Sequence, residues 1–305
     1  MKFTKKIPMA LSGLSLSLLV LGNLLQPYGD SIRAFCGILS AIILLLFLLK
    51  LIFDTENVKE EIKNPIVASI FPTSTMALMF LCVYIKPFFG FAVILWYIAV
   101  ILHVLIMLFF AKRFLSDFKL PTVFPSWFVT AVGIVVVSVT SPAMNAKPLG
   151  RAIFYIGLLL YVVLLPIVIK RMATLKNIPE PARPTVAIFT APMSLCIVGY
   201  FSSFENLNAA LIYVMVVVAL ISYVYVTINM VSLLKLKFYP TYAAFTFPYA
   251  VSAVAFKTAN KFLSDNGQFS LGFLVKASEY IAVVVVVYVC ARYVMFFMST
   301  PKDKA

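Results

Sequence analysis

Serine and threonine recur inside five apolar stretches of the chain: Ser12, Ser15 and Ser17; Ser69, Thr73, Ser74 and Thr75; Thr130, Ser138 and Thr140; Thr190 and Ser194; Thr246 and Ser252. A hydroxyl in such surroundings takes a neighbouring helix as partner, or meets water or a passing ion. Because all five stretches share the bias, the expectation is a hydroxyl-lined path. Carboxylates, the usual partners of protons and cations at membrane depth, are missing from them. Glu279 is the main acidic group inside an apolar run; Lys276 three residues earlier is its expected partner, with a proton-coupling role as the alternative. His103, the single histidine, is expected to hydrogen-bond a neighbouring helix. The four cysteines (Cys36, Cys82, Cys196, Cys290) have unrelated spacings and are expected to be small buried packing residues. No Gly-rich phosphate loop, G-x-S-x-G or H-E-x-x-H occurs, so acid–base catalysis has little to work with and neither cofactor nor metal is expected. Hydroxyl dipoles without negative charge suit an anion path.

The elements that position these groups are marked by proline and glycine. Pro65 with Pro72, Pro125 with Gly133, Pro184 with Pro192 and Pro240 with Pro248 each place a second breaker in mid-segment, and Pro8 with Gly13 is a looser fifth pair. Broken helices survive at membrane depth only where protein buries them or they line a water-filled cavity. Smooth runs such as 42–49 and 281–290 follow the broken ones, so the economical arrangement puts the broken helices inside and the smooth ones against lipid. Backbone N–H groups freed at the breaks would favour negative charge.

The chain has 305 residues, 63% of them hydrophobic and 12% charged, with a mean hydropathy of +1.04. That is half the roughly 25% charge of a soluble domain. Apolar runs give ten spans, at 8–25, 32–53, 65–85, 88–114, 123–142, 148–171, 184–203, 206–234, 241–262 and 268–297, paired as five helical hairpins that repeat every 55 to 60 residues. The expected fold is all-α and integral to the membrane, a single transmembrane domain over residues 1–305. The first run lacks a small-residue cleavage site and reads as a span, not a leader. The formal charge of +14 reflects topology, not nucleic-acid binding: 18 of the 25 Lys and Arg lie at one set of ends and loops and 7 at the other. The larger set, with both termini, is expected in the cytoplasm.

Four broken segments carry a familiar pattern. They read Asn64-Pro65 to Phe71-Pro72 and Thr75-Met76-Ala77-Leu78-Met79; Phe124-Pro125-Ser126-Trp127-Phe128-Val129 with Val132-Gly133-Ile134; Arg183-Pro184-Thr185 with Ala191-Pro192-Met193-Ser194-Leu195-Cys196; and Tyr239-Pro240-Thr241 to Phe245-Thr246-Phe247-Pro248. Together they resemble the tellurite-resistance/dicarboxylate transporter family, which includes bacterial TehA, fungal malate and sulfite carriers and the plant guard-cell slow anion channel. The resemblance covers essentially the whole chain, though the first segment matches only in Pro8 and Gly13. It implies a quasi-fivefold inner ring of odd-numbered helices around a pore, even-numbered helices outside, and a homotrimer in the bacterial inner membrane. It also implies that Phe247 gates the pore, with Gly13, Pro72, Gly133, Pro192 and Pro248 as kink or lining positions. Phe245 would sit about 200° away around the helix. The resulting expectation is a multi-pass anion channel for small inorganic or organic anions; the alternative is a secondary carrier of dicarboxylate, sulfite or tellurite, with or without proton coupling.

Overall fold

A computed structural model describes residues 4–175, 178–267 and 270–299. Lys2, Lys176, Lys302 and Lys304 of the cytoplasmic set, and the first two residues of the 268–297 run, lie outside the described residues. Among the described residues every regular element is helical. Helix α1 spans Leu11–Leu25 and α2 spans Asp30–Phe53. A short α3, Thr55–Glu61, follows. Then come α4 (Pro65–Ile85), α5 (Ala92–Phe114), α6 (Trp127–Met144), α7 (Lys147–Thr174), α8 (Glu180–Ser203) and α9 (Ala209–Leu233). The last two are α10 (Thr246–Asp265) and α11 (Gly272–Met298).

Eight of these helices are long and apolar enough to cross a bilayer. Helix α1 has 15 residues, short of the roughly 20 a full span needs. Helix α10 carries Lys257, Lys261 and Asp265 in its second half. Helix α3 lies where the sequence suggested only a polar link. It forms because Val58 packs against Met9 and Phe47, while Glu61 and Asp54 lie 2.8 and 3.6 Å from the fully enclosed Lys50 ammonium.

Burial sorts the long helices into two classes. In their most apolar stretches α4, α6 and α8 are 67–83% buried, whereas α2, α5, α7, α9 and α11 are only 28–33% buried. All but two residues of α1 are buried as well. The class follows from the sequence pattern: enclosed helices carry the breaks, and helices with large exposed Ile, Leu, Val and Phe do not. Helix α7 is the exception in composition, holding Pro166 without interruption. Contacts among the enclosed helices run from α1 to α4, α4 to α6, α6 to α8, α8 to α10, and from α10 back to α1.

Their hydroxyls stitch these contacts at repeating offsets. Ser12 Oγ and Thr73 Oγ1 lie 2.7 Å apart, Thr130 donates to the Ser69 carbonyl at 3.0 Å, and Ser252 donates to the Thr190 carbonyl at 3.2 Å. The residues in these bonds are separated by 61, 61 and 62 positions, the trace of the internal repeat. Cys36, Cys82 and Cys196 are buried and Cys290 half-buried, all as free thiols.

Close packing between the two classes depends on missing side chains. Val135, fully buried on α6, is wedged between Gly157 of α7 and Gly199 of α8; a Cβ on Gly199 would lie 2.7 Å from Val135 Cγ1, and one on Gly157 would collide with Val135 Cγ2. Overpacking of this kind costs about 1–3 kcal/mol. Gly157→Ala is therefore expected to lower the unfolding temperature in detergent, while Gly90→Ala, where nothing lies within 4 Å of the new atom, leaves it unchanged.

Candidate functional site

The five enclosed segments converge on one cavity of about 40 Å³. Ala10 and Gly13 bound it from the start of α1, and Ile70, Thr73 and Met76 from α4. Helix α6 contributes Phe128, Val132 and Gly133, and α8 contributes Pro192 and Leu195. Ala243 and Ala244, in the 3-10 turn before α10, complete the wall with Phe247 and Pro248. Of the six positions singled out from the sequence, five line this cavity; Pro72 does not, and instead caps the second half of α4. Met76, Phe128 and Leu195 were not singled out, although each sits three or four residues past a breaker, on the same helix face.

Phe247 is 7% exposed and faces the cavity, whereas Phe245 is fully buried and packs edge-on against Tyr242 with ring centroids 4.9 Å apart. No charged residue lines the space. A water needs about 10–15 Å³ in such a cavity, so the volume admits a few waters and no hydrated anion.

The breaks lie at the level of this cavity. Helix α4 is interrupted between Ile70 and Thr73, and α6 passes through a 3-10 turn at Gly133–Val135. The α-helical part of α8 begins at Ala191, after a 3-10 segment. Amides at the breaks are bonded within the chain: the Ala191 N–H donates to the Ile188 carbonyl, the Thr246 N–H to the Ala243 carbonyl and the Met76 N–H to the Pro72 carbonyl. A proline lacks the N–H itself, so the group it leaves over is a carbonyl, not a donor. The α-helical stretches beginning at Leu11, Thr73, Ala191 and Thr246 all start beside the cavity, each continuing from a bonded turn before it and not from a free helix end.

Comparison with known proteins shows the family of the chain. Residues 6–300 match the profile of SLAC1, described as voltage-dependent anion channel. The chain belongs to the SLAC1 family. It is thus a multi-pass membrane protein of a family described as voltage-dependent anion channels. It is also similar to the uncharacterized transporter MJ0762 of Methanocaldococcus jannaschii, with 27% identity over 181 residues, 54% of this chain and 53% of that one. The match thus spans about half the length of this curated relative.

In this SLAC1-family chain the hydroxyls do not form the cavity wall that their distribution suggested. Thr73 alone lines the space. The others bond carbonyls or hydroxyls of their own or a neighbouring helix, as in Ser15 with Ser40 at 2.7 Å, Ser69 to Ser126 at 2.7 Å and Ser194 with Ser252 at 3.0 Å. Ser17 Oγ is the one left without a partner. Satisfaction by an adjacent helix outcompetes exposure to a small apolar cavity, because an unbonded buried hydroxyl is expensive.

Two titratable groups complete the picture. His103 Nδ1 lies 2.7 Å from Thr75 Oγ1 of α4, the expected bond to a neighbouring helix. Glu279 does not pair with Lys276. Its carboxylate meets the Lys257 ammonium of α10 at 2.6 Å and accepts from the Tyr28 hydroxyl at 3.2 Å, while Lys276 reaches only the Tyr28 oxygen, at 3.3 Å. The hairpin partner lies closer to the carboxylate than the same-helix lysine can reach.

Proposed function

We propose that this chain is an anion channel of the cell membrane, passing small anions through the central cavity, which the Phe247 ring closes at rest. The observation that carries the reading is the wall itself: all five enclosed segments contribute to one space with no charged residue in its lining. A wall without a carboxylate gives a cation no partner, and one without an ammonium holds no anion tightly, as conduction requires. The contact circuit from α1 through α4, α6, α8 and α10 back to α1 supports an inner ring of quasi-fivefold symmetry. On this reading α1 and α10 also span the membrane, giving ten spans as five hairpins. Gly13, Gly133, Pro192 and Pro248 shape the path, and Pro72 sets the kink of α4. The protein works as a homotrimer with a pathway in each subunit.

The test is current through reconstituted protein in planar bilayers under a chloride gradient. An anion channel reverses near the chloride equilibrium potential. Reversal at the cation potential would overturn the reading, and absence of current together with counterflow of labelled malate or sulfite in vesicles would replace it with a carrier.

A further inference from the structure

An anion resting in the central cavity would be a buried charge with no partner in the wall, a costly state. An ionisable group stands directly behind that wall. Gly133 lines the cavity, and a Cβ built on it would lie 3.5 Å from His103 Cε1 and 2.8 Å from Met76 Sδ. Only a glycine backbone and a flexible thioether therefore separate the imidazole from the space.

One tautomer of the ring leaves Nε2 available. Thr75 Oγ1 donates to the Pro72 carbonyl at 2.8 Å and lies 2.7 Å from His103 Nδ1. In the tautomer in which the hydroxyl keeps its hydrogen on the carbonyl and accepts from the ring, Nδ1 bears the hydrogen and Nε2 holds a lone pair. Nε2 is buried and has no partner. The elements packed on α5 are α4 and α6; they face His103 with Thr75, Met76 and Gly133. Their own titratable groups, Cys82 and Tyr84 on α4, and those of α5 itself, Tyr97, Lys112 and Arg113, lie six or more residues along the helices from this contact, and none of the three helices contains a carboxylate.

We propose that His103 is a proton site linked to anion occupancy of the central cavity. A hydronium entering with the anion gives its proton to the Nε2 lone pair and leaves as water. The resulting imidazolium, hydrogen-bonded to Thr75 through Nδ1, supplies the positive charge the wall lacks. When the anion departs, the proton returns to water and the neutral ring is restored. By linkage, anion raises proton affinity at His103 and acid raises anion affinity by the same factor. This inference rests on the cavity being the anion path.

The chain's single histidine makes the test direct. Protein labelled with 15N-histidine gives one imidazole to titrate by NMR. In wild type the Nε2 resonance is expected to titrate roughly one pH unit higher in nitrate or chloride than in a bulky impermeant anion at equal ionic strength, a tenfold linkage of ordinary size for coupled sites. In the Phe247→Ala background, acidification is expected to raise anion current roughly tenfold, and His103→Gln, which keeps an N–H for Thr75, flattens that pH profile. A titration unaffected by the anion would overturn the inference even if the channel conducts. Loss of the pore reading would look different: Phe247→Ala would carry no anion current at any pH.

Discussion

Phe247→Ala is expected to raise anion current at least roughly tenfold, the equivalent of removing about 1.4 kcal/mol from the barrier to passage. The ring borders a cavity of about 40 Å³ that is otherwise bounded in part by the small residues Ala10, Gly13, Ala243 and Ala244. Replacing it with a methyl group widens a space whose lining holds no charged residue, so the expected gain is steric. Phe245 two residues earlier is the internal control. It is fully buried against Tyr242 and away from the cavity, so Phe245→Ala should cost about 3–5 kcal/mol of stability and leave current at the wild-type level. Paired bilayer recordings with thermal melts of both variants separate the roles. A folded Phe247→Ala that conducts no better than wild type would sink the gate assignment.

The contrast between these two phenylalanines also shows what was legible in the chain. Neither composition nor periodicity distinguishes Phe247 among 28 phenylalanines; its position beside Pro248, in a pattern shared with a known family, does. Hydropathy and the Pro and Gly spacing sufficed to tell enclosed helices from exposed ones, since a break in the backbone ladder is tolerated only in enclosed surroundings. The direction of the hydroxyls was not legible. Ser12, Ser69 and Ser194 occupy enclosed helices for a reason unrelated to a passing ion: each finds a partner about one repeat away in sequence, an offset visible only once neighbouring helices are docked. Helix α3 escaped for a similar reason. Its charges read as a solvated loop until Lys50 is seen to be enclosed and paired to Glu61. His103 shows the limit from the other side: its bond to a neighbouring helix was predictable, but its place behind Gly133 depends on where α5 docks.

Glu279 gives the last and sharpest case. A rule about neighbours on one helix points to Lys276, yet the carboxylate, with 8% of its side chain exposed, is neutralised by Lys257, 22 residues earlier on α10. Tyr28 from the link between α1 and α2 donates to the same carboxylate, and the Lys257 ammonium also reaches the Leu24 carbonyl at 3.4 Å. The cluster thus ties the first hairpin to the last, where no covalent connection exists. Removing Lys257 strands an enclosed carboxylate. Breaking a fully buried pair costs about 3–5 kcal/mol; here Lys257 is 37% exposed, so screening reduces the expected loss for Lys257→Met to about 2 kcal/mol. Glu279→Gln, which still accepts from Tyr28 and Lys257, should lose less. The double variant should recover much of the stability, because the stranded charge is then gone and the two sites couple. Melting temperatures of the three variants in detergent read this out. If the double variant instead loses the sum of the two single losses, the pair is not what joins the ends of the chain, and the apolar contacts of α1 with α10 and α11 must do so alone.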